Sequence, residues 1–314
     1  MANNYTYHAD IIGALIPPEI AEAPSSATVD EWVKRALIVQ RAAGLAVVTD
    51  GEYRRHGLAE ALLQRGLTDQ PPALVDEEGA FLLRATNLGV KVSLPSPASA
   101  LHQLAHKAGP GFDAAAAQAA LAKAYAGEID GLLAAGIAYI QFNGSAYAKL
   151  LDDESKPGAL DAIKTAAAFD AAVLGAVTRP DKARIGFRIG RPGPNPRWPT
   201  GVVPEGLQTL FNLPVDRLLL DIGCTDADFG FLAAVPADKL VVVGLIDSTR
   251  QQLEEQDIVL EAIDRAAAAV GDGLRLALSP RGGFQRDSGL TWDDQRRKLE
   301  LLVDITLRWW GFAM

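Results

Sequence analysis

The chain has 314 residues, of which 49% are hydrophobic and 22% are charged, a balance that excludes a disordered or fibrous protein. Its 39 acidic and 30 basic residues give a formal net charge of −9, so we expect neither a nucleic-acid partner nor an anionic membrane surface. The single cysteine, Cys224, excludes an intramolecular disulfide and a cysteine-rich zinc module. Since no signal peptide or membrane-spanning run is visible, we expect a cytoplasmic protein.

Short β-rich runs alternate with longer helical runs along the chain. We predict strands at 9–16, 45–49, 137–142, 183–190, 217–222, 239–246 and 274–279. We predict helices at about 28–44, 112–134, 157–177, 254–270 and 291–308. Residues 79–94 are expected to form two further strands around a turn at 86–89, which would be an inserted β-hairpin.

This alternation indicates an α/β fold. Near-continuous apolar strands are typical of a parallel sheet with helices on both faces, either doubly wound or closed as an eight-stranded barrel. No glycine-rich dinucleotide or P-loop motif follows a predicted strand, which disfavours nucleotide binding. The most linker-like stretch, 67–80, is too short to separate two domains, so we expect one domain over residues 1–314.

In a barrel, catalytic groups come from the carboxyl ends of the strands. The polar residues that the predicted strands place there are Asp50, Glu52, Tyr53, Arg54, Arg55, Gln141, Asn143, Arg188, Arg191, Asp221, Asp247, Ser279 and Arg281. Glu52 and Asp221 together with Arg188 and Arg191 are suited to a small anionic or amphoteric substrate, because arginine binds carboxylate through its planar fork. The alternative is that these arginines pair with the acids across the barrel mouth.

The remaining candidates are isolated in sequence. His102 and His106 share a helix face without the H-E-x-x-H pattern, so we predict a solvated surface there and no metal. His8 and His56 lie near strand boundaries, and His8 is either a substrate contact or a structural histidine. Cys224 has no visible neighbouring base and is not expected to be a nucleophile. Trp198, in an irregular loop, either covers a substrate or anchors that loop.

Six segments taken together resemble a known family. They are VVTDGEYRR (47–55), YIQFNGSAY (139–147), RIGFRIGRPGPN (184–195), KLVVVGLIDSTRQQLEEQD (239–257), LALSPRGGF (276–284) and WDDQRRKLELL (292–302). In order and spacing they resemble the catalytic C-terminal half of cobalamin-independent methionine synthase, and above all its short stand-alone homologues. The resemblance covers nearly the whole chain. It implies a single TIM-type (β/α)8 barrel of the superfamily that includes uroporphyrinogen decarboxylase.

The family's chemistry, which the resemblance would imply here, is alkylation of a thiol held by zinc. The family's zinc ligands are histidine, cysteine, glutamate and cysteine, and the corresponding positions here are Arg188, Gly190, Asp221 and Gly282. One carboxylate without sulfur or imidazole is not a zinc site. We therefore expect no metal and no other cofactor.

The family's amino-acid site is altered as well. Its Q-[IV]-D-E-P motif reads Gln141-Phe142-Asn143-Gly144-Ser145, and the serine of its early I-G-S motif falls on Ala14. Of the family's ammonium contacts, Glu52 is kept and an aspartate has become Asn143. Loss of one of two carboxylates around a buried ammonium costs about 1–3 kcal/mol, which argues against homocysteine as substrate.

These features predict a zinc-less enzyme of lyase type on a small anionic metabolite. Glu52 or Asp221 would be the general acid/base and Arg188 would stabilise an anionic intermediate. The residues expected to bind substrate are His8, Tyr53, Arg54, Gln141, Asn143, Arg191, Trp198 and Asp247. Two alternatives remain, a methyl or alkyl transferase on a thiol and a non-catalytic binding protein. We also expect a homodimer, the commonest oligomer of soluble proteins.

Overall fold

The computed structural model describes residues 7–19, 24–55, 58–68, 75–190, 198–224, 228–285 and 288–311. Within these ranges the strands form one seven-stranded sheet in which each strand pairs in parallel with the next along the chain. The strands are β1 (Val47–Val48), β2 (Gly89–Pro95), β3 (Tyr139–Asn143), β4 (Arg184–Ile189), β5 (Arg217–Leu220), β6 (Leu240–Asp247) and β7 (Leu276–Arg281). All seven carboxyl ends therefore lie at the same edge of the sheet.

Helices connect the strands. They are α1 (Ser26–Ala43), α2 (Leu58–Leu67), α3 (Val75–Ala85), α4 (Pro97–Ala108), α5 (Ala114–Ala135), α6 (Tyr147–Asp152), α7 (Ala159–Gly175), α8 (Glu205–Phe211), α9 (Gln256–Val270) and α10 (Trp292–Trp310). The predicted boundaries are close for α1, α5, α7, α9 and α10, whose ends carry clear signals. Helix α10, for example, begins with a capping box in which Thr291 and Asp294 bond each other's backbone N–H. None of the helices in the described ranges is long and apolar enough to cross a membrane.

The segment 7–16, which contains the predicted first strand 9–16, lies between β7 and the loop after β1. Leu278 donates its backbone N–H to the His8 carbonyl at 2.7 Å, and Asp10 donates to the Leu278 carbonyl at 2.8 Å. Further along, Leu15 N–H donates to the Gly51 carbonyl at 3.1 Å. The segment makes a single β-bridge, through Ala9, and no regular strand. The α/β fold with a parallel sheet is thus confirmed, whereas the closed eight-stranded barrel stays a prediction.

The predicted hairpin at 79–94 is wrong. Residues 79–85 belong to helix α3, and only one strand, β2, follows, paired in parallel with β1 and β3. The apolar residues of this stretch recur with helical spacing, and one of them, Leu82, is buried. Its alanine, leucine and arginine residues are also good helix formers. The turn residues at 86–89 end the helix and begin the strand.

The inner face of the sheet has a thin apolar layer between two polar ends. Ile12, Leu219, Val242 and Ala277 form that layer. Nearer the amino ends of the strands lie buried charged and phenolic groups, and nearer the carboxyl ends lie the candidate site residues. A much larger apolar cluster lies outside the sheet, against the helices. The inner face is therefore available for polar chemistry, while the outer face holds the fold together.

Candidate active site at the carboxyl ends of the strands

Glu52 is held in an unusual conformation just after β1. Its φ is +59°, and among the described residues it alone combines a side chain with positive φ. Its backbone N–H donates to Asp50 Oδ1 at 3.1 Å, and Ser93 Oγ donates to its carboxylate. A side chain at Gly13 would collide with the same carboxylate. Left-handed backbone at a non-glycine residue costs about 1–2 kcal/mol, and such strain is concentrated at functional sites.

Next to this carboxylate is a cavity of about 240 Å³. The ends of three neighbouring strands supply Glu52, Ser93 and Asn143 to its wall. The predicted substrate-binding residue Gln141 lies beneath it, fully buried, with its Nε2 donating to the Ile12 carbonyl at 2.7 Å and to Asn143 Oδ1 at 2.8 Å. The structure thus brings Glu52 and Asn143 to one cavity, with Gln141 as a support for Asn143.

Arg188 and Asp221 form an ion pair across the ends of β4 and β5. The contact is two-pronged, with Arg188 Nε 3.2 Å from Asp221 Oδ1 and Nη2 2.5 Å from Oδ2. Burial alone would lower the pKa of Arg188, but the charges of Asp221 and, more weakly, Glu52 raise it. The Arg188 side chain is 24% exposed and that of Asp221 only 3%. Arg188 thus pairs with an acid, as one of the two alternatives from the sequence predicts, and its role in substrate binding stays a prediction.

Trp198 contacts the end of β5, next to Asp221. Its indole N–H donates to the Asp221 carbonyl at 2.8 Å, and its ring stacks on Phe231 at 4.9 Å between centroids. It therefore holds the end of β5 in place, as the loop-anchoring alternative predicts.

Two residues hold the Glu52 loop, namely Arg55, which the strand-end argument placed among the candidates, and Glu78, which it did not. Arg55 Nε lies 2.9 Å from Glu78 Oε2 of helix α3, and its Nη2 lies 3.8 Å from Asp50 Oδ1. Its Nη1 donates to the Ser93 carbonyl. Burial raises the pKa of Glu78, and the neighbouring charge of Asp50 raises it further. Glu78 is on helix α3 but lies in the stretch 67–80 that was predicted as linker-like, so no strand-end argument could find it.

Three predicted substrate-binding residues lie away from the cavity. His8 is buried at the amino end of β7, where its Nδ1 is 2.6 Å from the Leu276 carbonyl and its ring stacks on Trp310. The Tyr53 hydroxyl donates to the Ile16 carbonyl at 3.1 Å, and its ring packs on Trp32. Arg54 points outward, paired with Asp30 of α1. These three side chains bond to protein groups and do not line the Glu52 cavity, and their predicted substrate contacts stay predictions.

Asp247 faces a second cavity, of about 180 Å³, that Cys224, Arg250 and Arg281 also line. Its carboxylate lies 2.8 Å from Arg250 Nε and 3.0 Å from Arg281 Nη2. Although burial raises the pKa of Asp247, hydrogen bonds from Thr249 and Arg250 outweigh burial and lower it. Asp247 is therefore a paired, ionised group outside the Glu52 cavity. The candidates Arg191 and His56 lie outside the described residues.

The positions that the resemblance assigns to zinc ligands do meet in space, but they do not fit the metal. Arg188, Gly190, Asp221 and Gly282 converge, and the only donor among them is the Asp221 carboxylate, which Arg188 already binds. Across the described part of the chain, no three His, Cys, Asp or Glu side chains cluster as a metal site. Zinc prefers four soft or anionic ligands, and a guanidinium repels it.

Comparisons with known proteins agree with this fold. No protein-family profile matches the chain. The uncharacterized protein YxjH of Bacillus subtilis is 27% identical over 329 aligned positions, which cover 90% of this chain and 85% of that protein.

Solved structures are more informative about architecture. A protein from Listeria monocytogenes, provisionally named a vitamin-B12 independent methionine synthase, matches with a TM-score of 0.71 at 24% identity, over 95% of this chain and 98% of that one. A B12-independent methionine synthase from Shewanella sp. W3-18-1, in complex with selenomethionine, matches at 0.67 and 18%, over 95% of both chains. A methyltransferase from Methanosarcina mazei matches at 0.52 and 12%, over 90% of this chain and 86% of that one.

These likenesses define the class by its architecture. The chain has the TIM-barrel-like α/β fold of these solved structures. Membership of the methionine synthase family and of its short stand-alone subtype stays a prediction.

Proposed function

We propose that the chain is an enzyme that acts without a metal on a small anionic metabolite, by lyase-type chemistry, in the cavity beside Glu52. The observation that carries this proposal is that the Glu52 carboxylate and the Arg188 guanidinium lie near each other at one edge of the sheet. A strained, positioned carboxylate lies beside the cavity, and a partly exposed guanidinium lies close enough for its pKa to respond to that carboxylate.

The geometry favours Glu52 over Asp221 as the general base. Asp221 is committed to Arg188 by two hydrogen bonds, so Glu52 is the general base that faces the cavity. In this proposal Glu52 removes a proton from the carbon next to a substrate carboxylate. The electron pair passes to the carboxylate oxygens as an enediolate, which the Arg188 guanidinium stabilises. The pair then returns to expel a leaving group from the adjacent carbon, and that group takes up the proton.

Ser93 and Asn143 support this assignment. Ser93 Oγ bonds the Glu52 carboxylate, which orients it, and the Asn143 amide lies across the same cavity, where it offers a neutral hydrogen-bonding group. A small polar ligand in 240 Å³ of space would meet carboxylate, hydroxyl and amide together.

A thiol-directed methyl or alkyl transferase is the second candidate. Two of the structural neighbours are named as methionine synthases and a third as a methyltransferase, and this favours it. Without a metal ligand set, the substrate thiol would have to be acidic enough to ionise by itself, with Glu52 as the group that takes its proton.

The test is turnover of defined probes by the purified chain, followed by NMR. One set contains small 3-hydroxy and 3-amino dicarboxylic acids, and the other contains low-pKa thiols with a methyl donor. The proposal expects an unsaturated product from the first set, its loss by at least about 100-fold in Glu52→Gln, and wild-type rates in the exposed-site control Glu205→Gln. Methyl transfer to a thiol, without turnover of the acids, would establish the second candidate instead. Equal activity in Glu52→Gln would contradict the site assignment.

A further inference from the structure

Three positions, Gly190, Asp221 and Gly282, surround one nitrogen atom, Nη2 of Arg188. Asp221 Oδ2 lies 2.5 Å from it. A Cβ built on Gly190 would lie 3.0 Å from this nitrogen, and one built on Gly282 would lie 3.2 Å from it. The space that two side chains would fill is therefore filled by the guanidinium.

The two glycines differ in what else requires them. Gly282 has φ +79°, so the backbone alone favours glycine there. Gly190 is not among the glycines with positive φ, and any residue can adopt its backbone. Its Cβ would also lie 3.1 Å from Arg188 Cζ and 3.1 Å from Asp221 Oδ2. The closest contacts that a side chain at 190 would make thus belong to the ion pair.

We propose that the Arg188 guanidinium is a built-in cation in the place that the resemblance assigns to a metal ion, and that Gly190 is glycine to give it room. The Asp221 carboxylate balances the positive charge of the guanidinium, so the site holds this cation without sulfur or imidazole ligands. This inference concerns what the site can hold, and it stands whether or not the lyase reaction proposed above is correct.

The first test is a double-mutant cycle measured as Tm. Gly190→Ala should lower Tm by several degrees in the wild-type chain, because the added methyl group crowds the ion pair. In an Arg188→Met background the same substitution should change Tm little, since the crowded guanidinium is gone.

The matched control is Gly127→Ala in helix α5, where a Cβ meets no atom within 4 Å. It should raise Tm equally in both backgrounds, because alanine is the better helix former. The proposal is contradicted if Gly190→Ala is harmless in the wild-type chain, or if it lowers Tm as much without Arg188 as with it.

The second test uses zinc as the probe. Arg188→His with Gly190→Cys and Gly282→Cys would surround Asp221 with imidazole and two thiolates, a tetrahedral set. This triple variant should retain about one zinc ion per chain after dialysis, whereas Gly190→Cys with Gly282→Cys alone should retain far less. Equal zinc binding by the two variants would show that Arg188 does not occupy the metal's place. If the triple variant does not fold, the Tm cycle decides alone.

Discussion

The two ends of the sheet are both built from buried charges, and they differ in what those charges face. At the amino end, Lys91 Nζ lies 2.7 Å from Asp10 Oδ1, the Tyr139 hydroxyl donates to Asp10 Oδ2 at 2.9 Å, and the Arg217 guanidinium lies 3.9 Å from the Tyr7 ring. Lys91 and Asp10 are at most 1% exposed. At the carboxyl end, the Arg188 side chain is 24% exposed, and Glu52 lines a cavity.

This difference assigns the buried charges at the amino end to stability and those at the carboxyl end to the candidate site. The amino-end charges contact one another and aromatic rings, so they act as a closed polar core, in agreement with the structural role of that end in barrels. At the carboxyl end Glu52 lines one cavity, and Asp247 and Arg281 line a second one, where a ligand can replace water. A buried ion pair alone is therefore weak evidence for a site, and an adjoining cavity is what distinguishes the two ends.

The largest expected effect comes from the amino end. Lys91→Met leaves Asp10 charged and buried with one partner fewer, so the free energy of unfolding should fall by about 3–5 kcal/mol in urea titrations. The control Lys156→Met removes an exposed partner of Asp153 and should cost less than about 1 kcal/mol. A loss in Lys91→Met as small as that of the control would remove the distinction between the two ends.

A pH-dependent effect should come from Glu78, beside the Glu52 loop. Burial raises its pKa from 4.5 to about 8, with the charge of Asp50 adding to the rise. The folded chain then binds a proton that the unfolded chain has lost, so this stabilisation is present below pH 4.5 and is lost as pH rises to about 8. Between these pH values Glu78 should reduce the free energy of unfolding by about 2–4 kcal/mol.

Glu78→Gln tests this assignment, because glutamine keeps the shape of the side chain and does not titrate. Its unfolding free energy should be flatter than that of the wild-type chain between pH 6 and about 8. A decline at lower pH should remain in both proteins, since burial also raises the pKa of Asp170 to about 6. Parallel pH profiles for the two proteins above pH 6 would refute the role of Glu78.

A smaller effect separates strain from chemistry at Glu52. Glycine adopts a φ of +59° without cost, so Glu52→Gly should be more stable than Glu52→Ala by about 1 kcal/mol, measured by urea unfolding. Both variants lose the carboxylate and should lose ligand turnover together. If Glu52→Ala equals Glu52→Gly in stability, the left-handed conformation at this position stores no strain.

Much of the fold follows from sequence because its elements carry local signals. Apolar runs such as 239–246 and 274–279 are bounded by turn residues and became β6 and β7, and the alanine-rich run at 112–134 became α5. Residues 79–85 misled the same reasoning, since a short apolar run fits a strand or a helix until its packing partner is known. Residues 9–16 have strand-like composition, but they pair with β7 through a single bridge.

The candidate site was predictable in part. Position after a strand identified Glu52, Asn143, Arg188 and Asp221, because parallel strands bring their carboxyl ends together. The same argument also named Tyr53 and Arg54, which do not line the Glu52 cavity, since it places a residue at an edge and does not say which way its side chain points. Ser93 and Glu78 could not be found, because their contribution depends on contacts between β2, α3 and the loop after β1.

Zinc content of the wild-type chain tests the central claim most directly, namely that a guanidinium takes the place of a metal at the carboxyl end of the sheet. The protein should be produced with zinc supplied, purified without chelator, dialysed and measured by elemental analysis. We predict less than about 0.1 zinc ion per chain, because Asp221 is bound by Arg188 and no second ligand adjoins it among the residues that the structure describes. About one zinc ion retained per chain would contradict the account and favour thiol alkyl transfer as the function.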